Sequence, residues 1–354
     1  MRIGYEIPDS AKMVLMQEAK FKNYFNLLSY ALAEYETVMA GVPEALAPLL
    51  QPHIKELERV ILPGMVTLTW TSMNIDAYLS RFHAELMRFN DLVFKLRDIM
   101  DNRLQRNENV VANLKLLDLP TGEQESMMLE RFMTVQVAWT ASRTNDMDAK
   151  NKEAEEAMRD LVDLVLKYKL THTSDTTDPT DIGKLAEHYS SRMYSAVLNC
   201  TKESLLNLKS RVGSRSLSGF MFVEKPFFEV NVMLNVPNIV MEPPLVEIQE
   251  AINTATCAVL SCSKNLVMWE NDRPGGESRT VYDLVSRDTE VVRTVLLLAG
   301  SIEGAKRQVH EYLDTFAKYN YLWQDDKMKV RWITDRTASP LHRPASPLHR
   351  PASP

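Results

Sequence analysis

Long stretches without proline or glycine most constrain how this chain can fold. Neither residue occurs within 65–119 or 123–178, and proline is absent from 275–339. Only 11 of the 354 residues are glycine, well below the average usage of about 7% in proteins. Because proline and glycine form turns and interrupt helices, their scarcity predicts few turns and long α-helices.

Apolar periodicity in these stretches predicts amphipathic helices. Side chains that recur every three or four residues form one apolar face of a helix. Three series follow this rule: Phe21, Phe25, Leu28, Leu32, Tyr35 and Met39; Ile75, Leu79, Phe82, Leu86, Phe89, Val93, Leu96 and Met100; and Val291, Val295, Leu298, Ile302, Ala305, Val309, Tyr312, Phe316 and Tyr319. The middle series predicts a helix over 75–106 that is roughly 48 Å long.

Prolines and capping residues predict where that helix begins. Pro43, Pro48 and Pro52 are expected to break the chain before it, and Ser72 or Asn74 is expected to cap it. Further helices are predicted at 127–144, 149–170, 182–211 and 245–268. The second of these presents an apolar face made of Met158, Leu161, Val162, Val165 and Leu166.

One segment alternates apolar and polar residues instead. From Phe228 to Val236 most apolar side chains fall at every second position, many of them β-branched, which predicts a short β-hairpin over 220–242. The predicted fold is therefore mainly α, an elongated stack of long helical bundles with one hairpin insertion. The predicted divisions are helical bundles over 1–215, the β insertion over 216–244, a further bundle over 245–335 and a tail over 336–354.

Two copies of SPLHRPA, at 339–345 and 346–352, make up most of that tail. The segment is rich in proline and too polar to bury a core, so disorder is expected. The perfect repeat is either a polyproline-type ligand or an artefact of gene prediction or cloning.

Composition limits the cellular compartment and the classes of partner expected for this chain. Apolar residues make up 45% and charged residues 25% of the chain, and the net charge of −6 gives no general attraction for nucleic acid or anionic membranes. No apolar run approaches the roughly 20 residues of a membrane span, and the N-terminus lacks the apolar core of a signal peptide. With only Cys200, Cys257 and Cys262, a disulfide framework is not expected. A cytoplasmic protein is predicted, and the sequon Asn199-Cys200-Thr201 is interpreted as chance.

Two segments of the chain contain glycine followed by lysine, as phosphate-binding loops do. Gly183-Lys184 and the Gly300 to Lys306 segment lack the spacing that places a lysine behind a glycine-rich turn. The preferred interpretation is that Gly183, Gly300 and Gly304 are small residues for close helix packing.

Other chemical motifs are also absent from the sequence. Cys257 and Cys262 would lie about 140° apart around a helix, so buried small residues are preferred to a metal-ligand pair. Asp325-Asp326 and Glu155-Glu156 are interpreted as solvated charge. No H-E-x-x-H or G-x-S-x-G motif occurs. The prediction is no catalytic, cofactor-binding or metal-binding residue, and no cofactor.

The five tryptophans are either partner anchors or core residues. Trp70, Trp139 and Trp269 are predicted to fill helical cores. For Trp323 and Trp332 both interpretations stay open.

Five ordered blocks resemble the tail region of dynein heavy chains. They are MVLMQEAKFKNYFNLLSYALAEYE at 13–36, ILPGMVTLTWTSMNIDAYL at 61–79, KNKEAEEAMRDLVDLVL at 150–166, NCTKESLLNLKSRV at 199–212 and YLDTFAKYNYLWQDDK at 312–327. The alternating segment near 226–253 resembles the short β insertion of that family. The LTWTS block is more similar to axonemal than to cytoplasmic heavy chains.

The resemblance implies a non-catalytic structural role. Dynein tails associate with other dynein heavy chains, bind intermediate chains and light intermediate or light chains, and attach the motor to cargo, which in axonemes is a doublet microtubule. It implies a place in the cytoskeleton, with the ciliary axoneme as the expected site. Family members are far longer, so a fragment, a partial gene product or a motorless paralogue is expected.

The sequence leaves three alternative functions open. The chain could be an independent helical adaptor or scaffold, or a tail of the cytoplasmic type. An ATP-driven motor would need the AAA+ region, for which no motif is present in these residues.

Overall fold

The structure, a computed structural model, describes residues 8–70, 72–119, 128–168, 179–212, 228, 230–235, 238–269 and 280–322. This part of the chain is mainly helical, as predicted, with one two-stranded antiparallel sheet. Its helices are α1 (Asp9–Ala40), α2 (Ala47–Val66), α3 (Ile75–Ile99), α4 (Arg106–Ala112), α5 (Leu129–Lys167), α6 (Pro179–Val212), α7 (Leu245–Ser261), α8 (Val281–Arg287) and α9 (Thr289–Asp314). A π-helical turn, Met100–Gln105, joins α3 to α4.

The chain divides into two compact units. Unit 1 consists of Met1–Leu116, Ala138–Ser204 and Val259–Val291. Unit 2 consists of Leu117–Val137, Leu205–Ala258 and Val292–Pro354. The sequence-based divisions after residues 215, 244 and 335 stay predictions.

Helix α3 lies at the centre of the first three helices of unit 1. The apolar series predicted for it is confirmed, because the seven side chains from Ile75 to Leu96 in that series are buried. Tyr24 of α1 donates a 2.6 Å hydrogen bond to Asp76 Oδ2, and Arg97 lies beside Gly41 at the other end of α1. These two contacts show that α1 and α3 run parallel.

The apolar series predicted for α1 is only partly correct. Phe25 is 61% exposed and Leu32 is also exposed, whereas Tyr24, Ala31 and Val38 are buried. Both sets repeat at helical spacing, so apolar side chains line two sides of α1. Tyr24 belongs to the buried side because its ring packs against α3 and its hydroxyl reaches a carboxylate there.

The predicted start of α3 at residue 75 is confirmed, but the expected proline breaks and side-chain cap before it are only partly correct. Pro48 and Pro52 lie inside α2 rather than breaking the chain, since a proline near the first turn removes few intrahelical hydrogen bonds and the apolar face of α2 is buried. Asn74 occupies the N-cap position of α3 without a capping side-chain hydrogen bond. Ser72 Oγ instead accepts a hydrogen bond of 3.0 Å from the backbone N–H of Thr69.

Gly64 of α2 permits a close approach of Tyr78 from α3. A Cβ atom at position 64 would lie 2.1 Å from Tyr78 Oη, and this hydroxyl donates a 3.1 Å hydrogen bond to the Ile61 carbonyl. We expect Gly64→Ala to lower the free energy of unfolding by about 1–3 kcal/mol through overpacking. Denaturant unfolding followed by circular dichroism measures this change.

Gly183 of α6 provides the matched control for Gly64. A Cβ atom there meets nothing within 4 Å. Gly183→Ala is therefore expected to raise stability by up to about 1 kcal/mol, through helix propensity alone. Equal effects at both positions would contradict the packing described for Gly64.

Helix α5 replaces two predicted helices, 127–144 and 149–170. The chain stays helical between them because Met147 is fully buried there. In unit 1, Arg103 forms an ion pair with Asp160, and Trp139 Nε1 donates a 2.9 Å hydrogen bond to the Lys115 carbonyl, so α5 runs antiparallel to α3 and α4. Its predicted apolar face is buried or half-buried except for Leu166, which is exposed.

Helix α6 packs on α4 and on the chain that follows it. Arg192 pairs with Glu108 at 2.7 Å, and the Leu116 N–H donates a 3.2 Å hydrogen bond to Ser204 Oγ. The predicted helix over 182–211 is confirmed, with three additional residues at its start and one at its end.

Asp288 joins α8 to α9 and anchors this junction to α6. Its Oδ1 accepts hydrogen bonds from the Glu290 and Val291 N–H groups at 3.0 and 3.1 Å, and Lys202 Nζ lies 3.1 Å away. Burial alone would raise the pKa of this carboxyl, but these hydrogen bonds and the Lys202 charge together lower it.

Asp288→Asn is expected to lower the free energy of unfolding by about 1–2 kcal/mol at neutral pH. Because the pKa is lower in the folded state, the carboxylate stabilises the fold fully above the unfolded value of about 3.9. Its contribution is lost as the pH falls through the lower folded value. Denaturant unfolding of both proteins across this pH range measures the difference, and a difference that does not change with pH would contradict the assignment.

Unit 2 contains the β-hairpin, formed by β1 (Asn231–Asn235) and β2 (Asn238–Glu242) with Met233 opposite Val240. The predicted hairpin is confirmed in this part, while 220–227 lies outside the described residues. Phe132 is fully buried and meets Phe228 edge to face at 5.2 Å.

The last two long helices are shorter than predicted. Helix α7 ends at Ser261 rather than at residue 268, and α9 ends at Asp314 before a 3-10 turn over Ala317–Leu322. The buried part of the predicted α9 series is Val291, Leu298 and Ile302, whereas Tyr312 and Tyr319 are exposed.

Candidate interaction surface

The glycines of the two candidate phosphate loops lie within helices. Gly183 belongs to α6, and Gly300 and Gly304 belong to α9, so none forms the turn that such a loop requires. Close helix packing is wrong for all three, because a Cβ atom on any of them meets nothing within 4 Å. They are simply tolerated on open helix surface.

The cysteines differ in exposure. Cys262 is buried as predicted, and Cys200 is also buried. The predicted burial is wrong for Cys257, which is exposed. Burial raises the pKa of the Cys200 thiol to about 12, which keeps it protonated and unreactive. Thr201 is buried in the middle of α6, which supports the interpretation of the sequon as chance.

The paired acids give no shared site. Glu155 pairs with Arg159 at 2.5 Å along one helix, Glu156 is exposed, and Asp325-Asp326 lies outside the described residues. Within the described ranges, no group of three or more histidine, cysteine or acidic side chains could hold a metal ion. No helix in this part of the chain has both the length and the apolar character to cross a membrane.

The tryptophans contribute to packing unequally. Trp70 is 48% exposed in the connection between α2 and α3, so its predicted core position is wrong. Trp139 is half-buried, with the Arg143 guanidinium 4.5 Å from its ring. Trp323 and Trp332 lie outside the described residues.

Trp269 anchors the segment after α7 to two helices of unit 1. Its Nε1 donates to Asn151 Oδ1 of α5, and its backbone N–H donates to Ser190 Oγ of α6, both at 3.2 Å. Asn151 and Ser190 are both buried. Trp269 itself is half-buried, so its predicted core position is only partly correct, and these two hydrogen bonds fix its orientation.

An open groove lies between the parallel helices α1 and α3. Its volume is about 400 Å³. It is lined by Tyr30, Ala33, Glu34, Thr37, Val38, Gly41, Asn90, Val93, Phe94 and Arg97, and we call it the α1–α3 groove. Phe94 is 71% exposed and Tyr30 is also exposed, so aromatic surface is available at this groove.

Two charges of the α1–α3 groove lack the partners that such groups usually have. Glu34 Oε2 is buried without a hydrogen-bond partner among the described residues. The Arg97 side chain is exposed and has no carboxylate partner in the described part of the chain. An unsatisfied buried oxygen of this kind costs free energy.

The sequence did not reveal this groove. Glu34 and Arg97 are single charges within helical patterns and belong to no motif. The available signal was the second apolar side of α1, which a helix fully packed on one side does not need.

Similarity to known proteins agrees with the resemblance noted above. Residues 1–78 match the family described as "Dynein heavy chain, N-terminal region 1". The chain is 40% identical over 325 residues to "Dynein gamma chain, flagellar outer arm" of Chlamydomonas reinhardtii, which covers 92% of this chain and 7% of that relative. It is 24% identical over 410 residues to "Dynein axonemal heavy chain 8" of Homo sapiens, covering 94% of this chain and 9% of the relative.

An inner-arm relative is also similar. "Dynein-1-alpha heavy chain, flagellar inner arm I1 complex" of Chlamydomonas reinhardtii is 24% identical over 360 residues, covering 93% of this chain and 7% of that protein. The chain thus spans less than a tenth of the length of each of these relatives.

The fold and the open groove define a helical-bundle segment with an open interhelical groove. The matches to known proteins identify the family of this segment. The chain belongs to the dynein heavy-chain family, as a segment of the N-terminal tail whose relatives include axonemal heavy chains.

Proposed function

We propose that this chain is a non-catalytic structural segment of an axonemal dynein tail. In this role it supports association of heavy chains, binding of intermediate and light chains, and attachment to cargo or a doublet microtubule during ciliary movement. The observation that carries the proposal is 40% identity to a flagellar outer-arm heavy chain along 92% of this chain. The expected location is the cytoskeleton of the ciliary axoneme.

The helical structure supports this role. Contacts between residues far apart in sequence, such as Arg103 with Asp160 and Arg192 with Glu108, hold the helices of unit 1 in a defined arrangement. A rigid set of helices can present long surfaces to other subunits, as helical repeat proteins do.

The proposal is tested by reconstitution of the purified chain with dynein intermediate chains. Co-elution in size-exclusion chromatography is expected with axonemal intermediate chains, and weaker or no co-elution with cytoplasmic ones. Equal binding to both would favour a tail of the cytoplasmic type. Binding to neither would overturn the intermediate-chain part of the proposal and favour an independent adaptor.

ATP turnover tests the non-catalytic part separately. The same preparation is expected to hydrolyse ATP no faster than buffer. Hydrolysis that co-purifies with the chain and is lost when the chain is removed by an antibody would overturn the proposal that this segment has no motor activity.

A further inference from the structure

We propose that a small cavity between α2 and α3 binds one water molecule, which donates one hydrogen bond to the Glu56 carboxylate and the other to the His53 ring. The volume of this cavity, which we call the α2–α3 cavity, is about 30 Å³. A single water needs roughly 10–15 Å³ of such space and two to four polar partners. The cavity is lined by five polar side chains, namely His53 and Glu56 of α2, Glu85 and Arg88 of α3, and Tyr168 after α5.

Glu56 supplies the first acceptor for this water. The residue is only 5% exposed, and its Oε2 atom is buried without a hydrogen-bond partner among the described residues. The Arg59 Nη1 atom lies 3.6 Å from Oε2, which is beyond hydrogen-bond distance. Because a buried carboxylate oxygen without a donor costs free energy, a donor inside the α2–α3 cavity stabilises the fold.

His53 supplies the second acceptor. One nitrogen of its ring donates a hydrogen bond to the Val165 carbonyl near the end of α5. Burial and then the Arg88 charge lower the pKa of His53, although the hydrogen bond to Val165 opposes them. The ring is therefore neutral at pH 7, and its second nitrogen accepts a hydrogen bond rather than donating one.

The charges around the α2–α3 cavity favour water over a cation. Arg59 lies 3.6 Å from Glu56, and Arg88 lies 3.6 Å from Glu85, so each carboxylate already faces a guanidinium. In the part of the chain that the structure describes, no set of three or more histidine, cysteine or acidic side chains could hold a metal ion. Water brings two donors for the two acceptors, and its oxygen can accept from the Arg88 guanidinium.

A high-resolution crystal structure of the purified chain near neutral pH tests the site directly. We expect one water at roughly 2.6–3.2 Å from both Glu56 Oε2 and a ring nitrogen of His53. Several oxygen contacts of about 2.0–2.5 Å would identify a cation instead. That result, a direct hydrogen bond between Glu56 and His53, or an empty cavity would each overturn the proposal.

Hydrogen–deuterium exchange at the end of α5 tests the same site in solution. Tyr168 N–H donates a 3.3 Å hydrogen bond to the Val165 carbonyl, which His53 also contacts. Glu56→Leu removes one acceptor and fills the cavity with apolar atoms, so the His53 ring loses its second partner. We expect exchange in the last turn of α5 to become about 5- to 30-fold faster. Glu56→Gln keeps an oxygen acceptor of the same size, and its exchange is expected to stay within about threefold of the natural rate.

Glu58→Leu is the matched control, because Glu58 is exposed on the same helix and does not line the cavity. It makes the same substitution, and exchange at the end of α5 is expected to stay unchanged. Thermal unfolding of each variant shows whether folding is retained, and the crystal structure of the natural sequence needs no variant. Two exchange results would also overturn the proposal. One is Glu56→Gln as fast as Glu56→Leu, since the lost charge opposite Arg59 would then explain both, and the other is equal acceleration by Glu58→Leu.

Discussion

Replacement of Leu86 by aspartate is expected to lower the free energy of unfolding by about 3 kcal/mol or more. Leu86 is completely buried on the face of α3 that α1 and α2 cover. The buried side chains of this series, from Ile75 to Leu96, are all apolar, so the new carboxylate would find no partner among them. Val93→Asp, two turns further along the same face, is expected to cost less, because Arg97 lies one turn further on α3 and lines the groove beside Val93.

Ala84→Asp is the matched control for this prediction. Ala84 is exposed on α3, so the same charge is introduced on the same helix without burial. The cost there is expected to be about 0.7 kcal/mol or less, from helix propensity alone. Urea unfolding followed by circular dichroism compares the three variants, and equal stability of Leu86→Asp and Ala84→Asp would contradict the buried position of Leu86.

The second large effect is expected in unit 2. Phe132 is fully buried, and Phe132→Ala removes both its apolar surface and its ring contact with Phe228. The expected loss is about 3–5 kcal/mol in the free energy of unfolding. The same urea unfolding experiment measures it.

Met128→Ala provides the comparison, since Met128 lies four residues before Phe132 and is exposed. Its effect is expected to stay within about 0.5 kcal/mol. A double-mutant cycle between Phe132→Ala and Phe228→Ala isolates the ring contact, which is expected to couple the two positions by about 0.5–1.5 kcal/mol. A cycle without coupling would contradict the edge-to-face contact.

The sequence predicted where helices form better than it predicted which side of a helix is buried. In α3 one apolar face exists, so its period identified the core from Ile75 to Leu96. In α1 apolar residues lie on two sides, and periodicity alone cannot choose between Phe25 and Tyr24. The choice depends on Asp76, which accepts the Tyr24 hydroxyl from a different helix.

Contacts between residues far apart in sequence explain most of the other differences between the predicted and the observed structure. Trp269 bonds to Asn151 across 118 residues, and no local pattern indicates such a pair. The helices predicted separately over 127–144 and 149–170 form one helix, in which Met147 between them is buried. The α1–α3 groove could not be predicted for the same reason, since it forms only when two distant helices pack side by side.

The π turn between α3 and α4 has a consequence for how such chains change length. Phe82, Phe89 and Leu96 are buried seven residues apart, but the next buried position in this row is Leu104, eight residues on, followed by Val111 after seven. The wider turn over Met100–Gln105 takes up the additional residue, so that both halves of the row face the same side. Deletion of one residue in this turn would restore a regular α-helix without displacing a buried side chain. An evolving heavy chain can therefore gain or lose a codon here while the helices before and after the turn keep their orientation.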